Sequence, residues 1–446
     1  MNSDIFEQPV ISLNSQGQGI CSIDGFKIFV DNAITGDLIK GQITQKKKNY
    51  GLATLLEIQK KSGDRTTPIC PLFEKCGGCQ IMHLKYEKQL FYKTNKVLSA
   101  IKKIGGFEIE VNPCVASPKQ LHYRNKIQLP IYKENGELKL GLYEKKSNTP
   151  LSINECFIHC RLGEKVFKEV SILLKETSLD VFCEESQRGF LRHLLIKTGV
   201  TTDECLVVWI TSSKKHKETL KKISEKLISK CPEVKGVLIN VNKKRYNSIM
   251  GDHCELLLGN PFIYERLLKK TFKVSAHSFF QVNPEQAENL YLKALNFADI
   301  KPDEVVLDAY CGTGTLSLLI SSSAKKVIGI ECVESAIRDA KENAALNQIT
   351  NAEFILGTVE NKIQQIEKVD TVFLNPPRKG CEIDVLNSID QLRPKKIVYI
   401  SCDPATLARD LKILSTMNYQ LKEVQPFDMF PQTMHVETCA LLTLLS

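Results

Sequence analysis

The 446-residue chain lacks the features that assign many sequences quickly. No apolar run reaches 18 residues, which excludes a membrane-spanning helix. The opening Met1-Asn2-Ser3-Asp4-Ile5-Phe6-Glu7 has neither a basic start nor an apolar core, so no secretory signal is expected. There is no internal repeat and no low-complexity tract. Hydrophobic content of 43% and charge of 25% are ordinary globular values, and they exclude wholesale disorder. Net charge is nearly absent from residues 151–446, with 38 basic against 37 acidic side chains. Residues 1–150 carry 22 against 14, so the +9 of the whole chain sits mostly there. A polyanion is therefore expected to contact the first third. The length suggests about three domains.

Cysteine is abundant: there are sixteen. A secreted disulfide protein is small and loop-rich, and this chain is neither. Scattered cysteines such as Cys183, Cys205, Cys231, Cys254 and Cys332 read as buried small hydrophobes in a reducing cytoplasm. Cys70, Cys76 and Cys79 are different. Their C-x5-C-x2-C run, flanked by Pro71 and Gly77-Gly78, reads as a metal or cluster site. Zinc and an iron–sulfur cluster both want a fourth ligand, and Cys156 and Cys160 are the nearest candidates. Spacing alone leaves the two metals open.

Residues 8–59 alternate with a two-residue period in five short runs separated by Gly and Asp-Gly turns, which predicts a small β-barrel. Lys46-Lys47-Lys48-Asn49-Tyr50 falls on a loop of it, either a solvated hairpin tip or a nucleic-acid contact. The spacing of Leu90, Val97, Leu98 and Ile101 predicts a helix over 86–104, stopped by Gly105-Gly106. Residues 120–265 read as mixed strands with a Lys-rich helix near 214–230. From 285 onward, buried strands alternate with helices, the pattern of a doubly wound parallel sheet that binds ligands at its carboxyl strand ends.

Five segments carry chemistry, four of them at those strand ends. Asp308-Ala309-Tyr310-Cys311-Gly312-Thr313-Gly314-Thr315 follows the first strand, and Glu331 ends the second, placed to accept from two ribose hydroxyls. Nucleotide and nicotinamide binders share this layout. The third glycine of a dinucleotide loop is missing at Leu316-Ser317-Leu318, whereas S-adenosylmethionine, which has no pyrophosphate, needs less of a cradle. Asn375-Pro376-Pro377-Arg378 follows another strand. Arg378 stands where many base N-methyltransferases place an aromatic residue, which weakens that reading. Ser401-Cys402-Asp403-Pro404 opens a helix with Asp403 as N-cap and Pro404 at its first turn, so the helix end favours a Cys402 thiolate and makes it a candidate nucleophile. Glu437, before Ala440-Leu441-Leu442, is a candidate general base.

These motifs, with Ser275-Ala276-His277-Ser278-Phe279-Phe280-Gln281-Val282-Asn283 and the helix opening extended to Ala405-Thr406-Leu407-Ala408-Arg409-Asp410, occur in one order. Over about residues 8–443 the chain resembles the RNA uracil-5 methyltransferases, in particular the bacterial 23S rRNA group. The resemblance implies an S-adenosylmethionine-dependent enzyme that methylates C5 of a uridine through a covalent Cys–C6 adduct. It implies Cys402 as nucleophile and Glu437 as base, with Gln281, Tyr310, Glu331 and Asn375 binding the donor. It also implies a 4Fe-4S cluster on Cys70, Cys76, Cys79 and Cys156. Asn375 is often Asp in this family, and Asp403 is often Asn. The fold implied has three parts: an N-terminal OB-type TRAM barrel over 1–59, a central α+β domain with the iron–sulfur site over 60–270, and a C-terminal Rossmann-like methyltransferase domain over 271–446. Helix 86–104 is a candidate to pack on the last of these. The tRNA-specific relatives generally lack barrel and cluster, so rRNA is expected as the RNA partner and tRNA is the alternative. A monomer in the cytoplasm is expected.

Overall fold

The computed structural model describes residues 4–243 and 249–445; Met1–Ser3 of the opening segment lie outside them. The first part is a six-stranded sheet. Its spatial order is Ile5–Pro9, Leu38–Lys46, Tyr50–Lys60, Phe26–Val30, Gly19–Ile23 and Ser12–Leu13. The alternating residues bury one face around Cys21, Ile28, Val30 and Ile39. The expected barrel is not closed, because no pairing among the described residues joins the two edge strands. Ser12–Leu13 is only two residues long, and the intervening Val10 and Ile11 amides already donate to Asp37 and Ile20 carbonyls. Lys47, Lys48 and Asn49 form the exposed tip between two long strands, as the sequence suggests.

The helix Tyr86–Ala100 continues as a π-turn over Ile101–Gly105 and ends at Gly106, whose φ of +75° is readily open only to glycine. Its buried Val97, Ala100 and Ile101 share a core with Leu407, Ala408 and Leu411 of the last region. Lys93 is fully buried on this helix and pairs with the equally buried Asp428, which also accepts from the Tyr86 hydroxyl at 2.8 Å. Lys88 and Lys102 remain in solvent with surface ion pairs.

A seven-stranded mixed sheet follows, ordered Cys254–Gly259, Val234–Val241, Glu204–Thr211, Leu191–Gly199, Lys126–Glu134, Glu137–Tyr143 and Pro150–Ser152. Helices Arg161–Lys175 and Lys217–Lys230 cover one face, with Trp209 at the centre of the core. A hairpin of Phe262–Leu267 and Lys270–Ser275 leads into the last region.

That region is again seven-stranded: Ala352–Leu356, Lys326–Glu331, Val305–Asp308, Thr371–Leu374, Lys396–Ser401, Glu437–Leu444 and Tyr419–Phe427. The first five strands are parallel, and Glu437–Leu444 pairs antiparallel with both of its neighbours, Lys396–Ser401 and Tyr419–Phe427. The central strands are buried on both faces, which is why they read as continuous apolar runs. No helix of the described residues is long and apolar enough to cross a membrane. Of the scattered cysteines, Cys205 and Cys231 are buried as expected, but Cys183 and Cys332 are exposed.

Candidate active site

The carboxyl ends of the parallel strands open into a cavity of about 690 Å³. Gln281, Tyr310, Glu331, Asn375, Cys402 and Glu437 all line it, although they come from six separate segments. The glycine turn sits at one end. Gly312 and Gly314 have φ of +54° and +79°, and a Cβ on Gly314 would press on Ala340 and Phe354 at about 3.1 Å. The turn leads into the short helix Thr315–Ile320. One Glu331 oxygen accepts from Gly312 N at 3.2 Å and the other from Val333 N at 2.9 Å, which fixes the carboxylate at the strand end. Gln281 is buried, and its side chain bonds the Tyr291 hydroxyl. Asn283 caps the helix Pro284–Ala298 and ties it to Ser117 and the Met429 carbonyl.

Cys402 and Glu437 line the same cavity as electrostatic neighbours. Their strands are neighbours, with Ser401 opposite Thr438. Burial raises Glu437 to about 8, and the Arg378 guanidinium pulls the other way. Burial, then the Glu437 carboxylate, raises the Cys402 thiol, while the charge of Arg378 and a hydrogen bond with it oppose the rise. The expected thiolate-favouring helix end is therefore outweighed. Asp403 itself accepts from the Ala405 and Thr406 amides at 2.9 and 3.1 Å, placing a negative charge where the thiolate would have benefited.

Three cavity residues have roles that the sequence does not announce. Arg378 stands out in the sequence only as a non-aromatic residue after the Pro pair. His435 lines the cavity two residues before Glu437 and is held neutral by burial, which lowers it to about 4. Asp308 is buried and raised to about 6 by burial; one oxygen accepts from the Ser317 hydroxyl at 2.6 Å, and the other has no hydrogen-bond partner among the described residues. Its place at the end of the first strand, just before the glycine turn, is the signal that could have found it.

The Asn375–Cys381 loop is clamped from below. Asp410 accepts from the Cys381 amide at 2.8 Å and the Tyr399 hydroxyl at 2.6 Å. Arg409 donates to the carbonyls of Lys379 and Cys381, and Thr406 to that of Arg378. The helix Pro404–Thr416, which follows Cys402, thus also holds the loop that carries Asn375 and Arg378.

Away from this cavity, Cys70, Cys79 and Cys156 pack against one small core of Phe73, Met82, Tyr123 and Ile158. Cys76 is their electrostatic neighbour. Cys160 instead stands buried at the N-cap position of the helix Arg161–Lys175, without a side-chain cap bond. Among the described residues, no three His, Cys, Asp or Glu side chains stand in the arrangement of a metal site.

Comparison with known proteins gives the family. A family profile described as tRNA (Uracil-5-)-methyltransferase matches residues 85–444. RNA methyltransferases of Clostridium acetobutylicum and Halalkalibacterium halodurans are 41% and 40% identical; each covers 99% of this chain and 97% of its own length. The crystal structure of Pyrococcus abyssi tRNA (uracil-54, C5)-methyltransferase with S-adenosyl-L-homocysteine superposes with a TM-score of 0.78 at 26% identity. The match covers 98% of this chain and 100% of that one. A tRNA enzyme thus matches the N-terminal sheet region as well, which removes domain content as a criterion for rRNA. The chain is an RNA methyltransferase and belongs to the tRNA (uracil-5-)-methyltransferase family.

Proposed function

We propose that the protein methylates C5 of a uridine in RNA with S-adenosylmethionine as donor, through a covalent adduct on Cys402. The observation that carries this reading is the convergence of a thiol and a buried carboxyl at the end of a cavity whose other end offers donor-binding groups. Asp308, Glu331, Tyr310, Gln281 and Asn375 are the groups proposed to hold the donor. The Asp308 oxygen that has no partner among the described residues is the proposed acceptor for its ammonium, and Glu331 for its ribose hydroxyls.

Uracil C5 is too weak a nucleophile to take a methyl group unaided. Cys402 loses its thiol proton to solvent, the thiolate adds to C6, and the displaced π pair makes C5 an enolate carbon. S-adenosylmethionine supplies the methyl group to C5 and departs as neutral S-adenosylhomocysteine. Glu437 then takes the C5 proton, the C5–C6 double bond re-forms, and the thiolate leaves. Arg378, beside both groups, favours the charged form of each. The base must be out of its stack to align with thiol and donor, and exposed Phe279 at the cavity offers a face for an unstacked base.

Cys70, Cys76, Cys79 and Cys156 are proposed to hold a 4Fe-4S cluster. The support is the resemblance together with the shared small core of Cys70, Cys79 and Cys156, where burial and then the charges of Cys156, Cys76 and Cys70 raise the Cys79 thiol and a cationic iron–sulfur core would offset that charge. Bound there, it would tie the 70–79 loop to the segment around Cys156. Anaerobically purified protein is expected to contain about four irons and four sulfides per chain. Cys156→Ser should lose them and Cys160→Ser should keep them; the reverse would reassign the fourth ligand.

Large-subunit rRNA is the proposed substrate, on the resemblance to the 23S group. The full-length likeness to the P. abyssi enzyme favours tRNA as a second reading. Mapping 5-methyluridine in 23S rRNA and in tRNA from a deletion strain tests both: the RNA that loses the modification is the substrate.

A further inference from the structure

A second cavity, of about 300 Å³, opens where the N-terminal sheet, the cysteine loop, the helix Tyr86–Ala100 and the catalytic region meet. It touches the catalytic cavity through a single side chain, His435, which lines both. Its wall carries Lys96, Lys145 and Lys146 against one carboxylate, Asp31, so it is locally cationic. Lys96 donates to the Met434 carbonyl at 2.8 Å, the residue before His435. Lys145 donates to the Asn32 side chain at 2.8 Å and stands 4.6 Å from the centre of the Phe73 ring. Amide side chains, including Gln18 and Asn32, supply both donors and acceptors.

We propose that this cavity seats a second unpaired nucleotide of the substrate strand, the immediate neighbour of the uridine in the catalytic cavity. The inference rests on the proposed RNA reading of that cavity. A nucleotide next to the target has to leave by a route adjoining it, and His435 is the shared wall. The cavity admits one nucleotide and no paired stem, so the neighbour is single-stranded here. Its phosphate lies toward Lys145 and Lys146, and its base edge toward Gln18 and Asn32. The N-terminal sheet then does more than add general affinity, because it reads the position beside the target.

The test traps RNA on the enzyme. Large-subunit rRNA and tRNA transcribed with 5-fluorouridine form the Cys402–C6 bond and accept the methyl at C5. They then stall, because fluorine cannot leave C5 as the proton does. Ultraviolet irradiation of the trapped full-length enzyme, digestion and mass spectrometry locate the next cross-link. The expected result is a cross-link between the adjoining nucleotide and the peptides bearing Gln18, Asn32 or Lys145. The double variant Lys145→Gln/Lys146→Gln is expected to raise KM for RNA about tenfold, the worth of a charge-assisted hydrogen bond to phosphate. Its kcat and donor affinity should stay unchanged. An adduct on Cys402 with the adjoining nucleotide cross-linked elsewhere, or an unaltered KM, overturns this site and leaves the proposed activity standing. Failure to trap any RNA on Cys402 overturns both.

Discussion

At the scale of single residues, the site places two groups that must lose protons in a setting that resists it. Glu437 sits near 8, and the Cys402 thiol is raised. A carboxyl raised in this way is protonated below its folded value, so the base form appears only as pH rises. The expected kcat/KM therefore climbs across the neutral range and levels off no lower than about 8. Arg378→Gln removes the cation that lowers both groups and should move the rising limb to higher pH. A profile flat from about pH 6 to about pH 8 would remove Glu437 as the base. Asp410 acts one layer further out, as a positioning residue for the Asn375–Cys381 loop. Asp410→Ala frees the Cys381 amide and the Tyr399 hydroxyl and lets Arg378 drift. Displacing a reacting group by about 1 Å costs on the order of a hundredfold, so kcat should fall by that order. The Arg378→Gln shift in pH profile should then be absent in the Asp410→Ala background, an outcome that a merely structural role would not give.

At the scale of elements, the helix Tyr86–Ala100 is bolted to the catalytic region by polar contacts under the active-site loop. Lys93 pairs with Asp428 and donates to the Phe430 carbonyl, and Gln89 bonds Gln432 in both directions. Removing one member of a buried pair strands the other charge, so Lys93→Met should destabilise the fold by about 3–5 kcal/mol in chemical denaturation. A destabilisation under about 1 kcal/mol would place the pair in water rather than in the interior. Apolar spacing and the Gly-Gly stop make this helix legible in the sequence. They do not show that Lys93 points inward, because the partner lies 335 residues away. Most strands are legible for a similar local reason: alternation in the first sheet and unbroken apolar runs in the last. Ile5–Pro9 is not, because an edge strand ending in proline carries little pattern. The open edge of the first sheet is not legible either, since closure depends on strand length and on which carbonyls take Val10 and Ile11. Within the site, residues at strand ends can be read from motif position. Arg378, His435 and Asp410 cannot, because their roles arise from contacts between the 375–381 loop, the helix after Cys402 and the segment before Glu437.

At the scale of the molecule, the N-terminal sheet lines the second cavity, which shares His435 with the catalytic cavity, and the proposed reading gives it a part in RNA binding. The sheet cannot be removed cleanly. Ile34 packs with Ile81, Leu84 and Met434, so deleting residues 1–59 would bare apolar surface next to the active site. Charge removal at the hairpin tip is the better probe. Lys47→Gln/Lys48→Gln should weaken RNA binding at low salt. The log–log salt slope should fall by about 0.7 for each single-strand phosphate that is no longer neutralised. Donor affinity should be unchanged, and an unaltered slope would assign the tip to solvent.

The claim on which the rest depends is a covalent RNA–enzyme intermediate on Cys402 that Glu437 resolves. Labelled substrate RNA, incubated with enzyme and S-adenosylmethionine and run on a denaturing gel, tests it directly. Glu437→Gln should add the thiol, transfer the methyl and stall, so a protein-shifted band that depends on the donor accumulates. The band should be absent when Cys402→Ala is combined with Glu437→Gln. Full turnover by Cys402→Ala, or a shifted band that survives without Cys402, would contradict the account and point to direct transfer or to another thiol such as Cys311 or Cys439.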